Sequence, residues 1–240
     1  MPPYNLSNIP PATMGSWPFD RDIHPVSHTW GKDVTVAMAR HHITPKDGLR
    51  NLWETCAQQY AQNKHCKDFC NTIINALGYW KGKGSLLEQQ NFEEALQNVK
   101  QHGIDPGGEN LPGFGALIGP YLWACGNLFI GPLPERRSDD RGNATVEKCE
   151  VIVGRRRYGA FMALQSSMQA AVNQIARGTL SHIAEEMAKL VRQREEYRFD
   201  PAHWVWNGER NGKILSLRQP HARMTSTGGE RMAEHAEVTS

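Results

Sequence analysis

Between Tyr158 and Tyr197, the apolar residues Phe161, Leu164, Met168, Ala171, Val172, Ile175, Leu180, Ile183, Met187, Leu190 and Val191 recur mostly at intervals of three and four. Only a helix gathers such positions onto one face, because its side chains repeat about every 3.6 residues. A single helix of this length would be about 60 Å long, at about 1.5 Å per residue. Gly178-Thr179 offers a break and a fresh cap, so one long helix and a two-helix hairpin fit equally well. Either form needs a second apolar surface to cover its stripe. The chain is therefore expected to be mainly α, with a helical bundle core.

Three further segments supply that surface. Thr44-Pro45-Lys46-Asp47 has a capping hydroxyl, a proline at the first helical position and an acid in the first turn. Leu49, Leu52, Trp53, Cys56, Ala57 and Tyr60 then share one face. A second helix is expected over 65–79, with Phe69, Ile73, Ile74 and Leu77 inward. Ser85-Leu86-Leu87-Glu88 is a capping box, in which serine and glutamate satisfy each other's orphan amides. Its helix runs to His102, with Gly103 and Pro106 as stop signals.

Residues 111–134 carry no charge. Their length approaches the roughly 20 residues of a membrane span. Gly115, Gly119, Gly126, Gly131 and Pro120 would leave backbone groups hard to satisfy in lipid, so a buried core helix with irregular ends is expected rather than stable membrane insertion. A small β component completes the fold. Val34, Val36 and Met38 alternate weakly, as a short strand or a helix start. Residues 146–153 alternate as one short strand, unless the following helix begins early and absorbs them. Residues 203–217 read as a C-terminal hairpin around Asn207 to Gly212.

Six prolines before residue 31, among Trp17, Phe19 and Trp30, give an extended N-terminal arm over 1–31. The body covers 32–217, and 218–240 is a polar C-terminal tail with too little apolar surface to fold alone. The N-terminal residues lack the pattern of a secretion signal. Five cysteines without regular spacing argue against a disulfide scaffold and for a reducing compartment. A cytoplasmic or virion location is expected on these grounds.

A net charge of +2 excludes a strong overall field, so polyanion binding must rest on local clusters. Arg136, Arg137 and Arg141 precede the run Arg155-Arg156-Arg157, with Tyr158 next to it and Phe161 close by. Guanidinium forks match phosphate oxygens, and aromatic rings stack on bases. Against this, Asp139, Asp140, Glu147 and Glu150 are interspersed and can neutralise arginines within a surface network. His65, Cys66 and Cys70 are the only ligand-like group, and they fit helix packing better than a four-ligand zinc site. No GxSxG, Walker A or GxGxxG run is present, and the paired acids define no catalytic dyad. No metal or cofactor is expected.

A helical body, terminal arms and an arginine patch suit a non-enzymatic, self-assembling nucleic-acid-binding protein of coat or nucleocapsid type. Homo-oligomers would form through the arms, and the strand held would be single-stranded RNA. Two alternatives remain at this level: a helical enzyme or ligand-binding protein with a pocket around 111–134, and a membrane-associated protein using that segment.

Overall fold

The computed structural model describes residues 27–30, 34–81, 86–102, 114–140, 145–175, 177–210 and 213–220. Seven helices are seen among them: α1 (Lys46–Gln58), α2 (Lys64–Leu77), α3 (Leu86–His102), α4 (Phe114–Leu122), α5 (Glu150–Val153), α6 (Arg155–Asn173) and α7 (Arg177–Arg192). Five strands accompany them: β1 (Ser27–Trp30), β2 (Val34–His42), β3 (Leu128–Pro132), β4 (Trp204–Arg210) and β5 (Lys213–Leu217). The chain is mainly helical, with two small antiparallel sheets ordered β1-β2-β3 and β4-β5.

Apolar burial divides into two cores. In the helical core, α2 lies against α7, α3 against α4, and α1 against α6 and α2, around Trp53, Phe69, Ile73, Phe92, Tyr121 and Met187. The sheet-side core gathers Val36, Met38, Ile43, Phe129, Ile130, Cys149, Phe161, Trp204 and Leu215. α2 starts where Asn63 accepts the amides of His65 (2.9 Å) and Cys66 (3.4 Å). The expected hydroxyl cap on α1 is absent. Pro45 occupies the cap position, and Thr44 faces inward, exchanging two backbone bonds with the Asn127 side chain at 2.8 and 2.9 Å.

The uncharged segment is not one helix. α4 spans its first part, a 3₁₀ turn follows at Cys125–Asn127, and its second part is the strand β3. β3 pairs with β2 along one edge. On the other, Tyr197 donates to Leu128 (2.9 Å) and accepts from Ile130 (3.0 Å). A strand covered on both faces and both edges carries no polar alternation, so its composition resembles that of a buried helix. Gly131 is required there: a Cβ would stand 2.6 Å from the Trp204 ring.

The strand expected over 146–153 is also corrected. Val146, Cys149 and Val153 are buried, a spacing of three and four, and residues 150–153 form the short helix α5. The long stripe is two helices, α6 and α7, in contact with each other. Their break falls before Arg177, so Gly178 and Thr179 lie in the first turn of α7. The C-terminal hairpin is present, with Trp204 opposite Leu217.

At the N-terminal end, Ser27–Trp30 is an edge strand, pairing from Trp30–Val34 to Ser27–Ala37, so these extended residues lie on the protein's own body. The rest of the expected N-terminal arm, the capping serine Ser85 and the tail beyond residue 220 lie outside the described residues.

Candidate nucleic-acid interface

The arginines grouped by sequence separate in space. Arg137 is fully buried in the sheet-side core and presents no charge to a phosphate. Its Nη2 donates to Glu147, its Nε to Asp139 at 3.3 Å and its Nη1 to His41 Nδ1 at 3.2 Å. The guanidinium lies over the rings of Trp204 (5.2 Å) and Phe129 (5.8 Å). His41 in turn donates from Nε2 to the Pro132 carbonyl at 2.7 Å. Burial, reinforced by the Arg137 charge, lowers its pKa to about 4 and keeps the imidazole neutral. Burial raises the Glu147 carboxyl, and the neighbouring Arg137 charge opposes that rise. This cluster ties the loop after β3 to β2 and to the segment before α5. Arg136 is exposed beside it, and Arg141 lies outside the described residues.

Arg155, Arg156 and Arg157 are all exposed, in the first turn of α6. Gly154 places them there. At φ 81° and ψ 151° it ends α5 and starts α6, a conformation reserved almost entirely for glycine. The first turn of α6 has no acidic residue, and no carboxylate among the described residues pairs with the triplet. Helical N–H groups at this end add positive potential to that of the guanidiniums. Tyr158 is half-buried against the sheet-side core, and Phe161 is buried. Neither is the exposed ring that sequence spacing suggested.

A second half-buried ring, Tyr197, meets the triplet from far along the chain. Arg157 Nη1 donates to the Tyr197 hydroxyl at 3.1 Å, with its guanidinium 5.7 Å from the ring centre. These two residues flank a cleft of about 300 Å³ between α6 and the end of α7, walled by Phe161, Leu164 and Leu190. Lys189 and Glu186, which also line it, pair with each other. Tyr197 is positioned by its backbone bonds to β3 and by the preceding residue, Glu196, which accepts from Arg40 at 2.7 and 3.0 Å in the interior. Sequence reasoning missed Tyr197 because a residue 40 positions from Arg157 carries no local sign of their contact.

The chain has a phage relative. It is 28% identical over 159 residues to the protein designated p9 of Acyrthosiphon pisum secondary endosymbiont phage 1. The match covers 62% of this chain and 43% of the phage protein, so the chain spans less than half of that relative's length. No family model matches the chain, and no solved structure does.

The other candidate chemistry takes a structural place. Cys66 and Cys70 on α2 meet Cys56 of α1 inside the helical core, where burial pushes all three thiols up. Among the described residues, no group of three or more His, Cys, Asp or Glu side chains converges as a metal site requires. The described side chains of 117–132 are buried packing groups and line neither the cleft beside Arg157 nor a second one between α1 and α6. No helix among the described residues is long and apolar enough to cross a membrane.

Proposed function

We propose that the chain is a non-enzymatic phage structural protein that assembles with itself and holds nucleic acid by its phosphate backbone. The observation that carries this reading is the exposed triplet Arg155, Arg156 and Arg157 on one helical turn, without an acidic partner among the described residues. Guanidiniums so placed repel one another until an anion or solvent offsets them. Phosphate oxygens fit their paired N–H groups and supply affinity without reading base sequence. Arg136 remains a candidate contributor because it is exposed; Arg137 does not. The phage origin of the relative supports a virion role.

Fluorescence anisotropy with labelled oligonucleotides across a salt series tests the binding. Affinity should fall steeply with salt, and replacing the three arginines with alanine should weaken it similarly for every sequence. Unchanged binding by the triple variant would remove the patch as the main contact. Light scattering on the eluting protein, before and after nuclease, tests assembly. A nucleic-acid-free monomer in both runs would overturn it.

A further inference from the structure

We infer that the cleft between α6 and α7 is a nucleobase pocket, so that the protein holds unpaired strands and takes one base beside its arginine triplet. This rests on the reading above that the triplet binds phosphate. Three features of the cleft go beyond phosphate binding. One wall is apolar, formed by Ala160, Phe161, Leu164 and Leu190, with Gln193 and the paired Glu186 and Lys189 beside it, whereas a phosphate seeks donors and water. At about 300 Å³ it is at the lower end of small-ligand clefts, with room for one planar ring system. Its mouth carries a guanidinium and a phenol ring, two groups of the kind that stack on any base regardless of sequence.

The charges separate the places of phosphate and base. Arg155 and Arg156 lie outside the cleft on the same helical turn as Arg157, where phosphates would sit. Glu186 and Lys189, which also line the cleft, pair with each other and add no net charge there, so the apolar wall favours a neutral base over a phosphate. A base inside a duplex is stacked on both faces and cannot enter unless it is taken out of the stack. The pocket is held ready in advance, since Tyr197 is bound to β3 through its backbone and Glu196 is anchored to Arg40.

The discriminating probe is an abasic strand, which keeps every phosphate and lacks the bases. Anisotropy is measured for a labelled oligothymidine, an abasic strand of equal length and a duplex of equal length. The intact protein should prefer oligothymidine over the abasic strand by on the order of ten-fold, the effect of one base–aromatic stack. Tyr197→Leu should abolish that preference while leaving abasic binding in place, and Tyr197→Phe should retain most of it. Ala160→Leu, which fills the cleft from an exposed position on α6, gives a second route if Tyr197→Leu fails to fold. Equal binding of base-bearing and abasic strands, or of single strand and duplex, would overturn the pocket and leave phosphate binding intact. Loss of every strand's binding in the arginine triple variant, together with a preserved base preference in Ala160→Leu, would do the same. An unaffected triple variant would instead overturn the phosphate reading itself.

Discussion

Arg137 and the Arg155-Arg156-Arg157 triplet are the same chemical group in opposite surroundings. Arg137 sits within three elements' worth of partners: Glu147, Asp139 and His41 accept its donors, and Trp204 and Phe129 cover its faces. The triplet is exposed on a helix end, and among the described residues its side-chain bond goes to the Tyr197 phenol. Among the arginines interspersed with acids, Arg137 is neutralised internally while Arg136 is exposed, and the run of three lies at the surface. An arginine is thus informative about binding only after its carboxylates have been accounted for.

The largest expected effect lies on the buried side. Glu147→Ala leaves the Arg137 guanidinium buried beside Asp139 without its nearest carboxylate, and should cost about 3–5 kcal/mol in urea unfolding. A loss under about 1 kcal/mol would show that water reaches Arg137 and would weaken the contrast. The same region sets an acid limit. His41 has a folded-state pKa of about 4 against 6.5 for the free side chain, so the unfolded chain takes up the proton first. Stability should be level above about pH 7 and fall as pH drops from 6.5 towards 4, by on the order of 3 kcal/mol from this residue. Glu147, raised by burial, acts in the opposite sense at the lower end of that window. His42, also held at about 4 by burial, adds a fall of the same sign, so His41→Gln should remove about half of the loss of unfolding free energy between pH 6.5 and 4.

Smaller effects belong to the exposed side. Gly154→Ala meets no atom within 4 Å, so its cost comes from backbone strain alone, about 1–3 kcal/mol by thermal melting. It should also reduce oligonucleotide affinity by turning the triplet, which separates this variant from a purely structural one. Replacing Arg155, Arg156 and Arg157 with alanine should change stability by no more than about 0.5 kcal/mol. The same variant should flatten the dependence of log affinity on log salt by about two, if each arginine contacts one phosphate of a single strand. A large stability loss here would mean that the triplet, like Arg137, is structural.

Local signals carried much of the architecture. Proline and an acid marked the start of α1, apolar spacing marked α2, and Trp204-Val205-Trp206 with a polar turn marked the hairpin. Each of these depends on residues within one or two turns of one another. The errors fell where the pattern was silent or ambiguous. β3 lacks alternation because it is covered on every side, and residues 146–153 are rich in β-branched groups that helical packing overrode. The candidate site was half legible: the triplet stood out, while Tyr197 and the cleft did not.

By itself, then, the sequence determined a mainly helical chain with a hairpin and a run of three adjacent arginines. Periodicity and charge runs are local properties and survive without a fold. The tertiary structure decided which arginine is buried, where the uncharged segment becomes a strand, and which ring lies beside Arg157. Those outcomes depend on contacts between residues far apart in the chain, and their energies exist only once the backbone has brought the partners together.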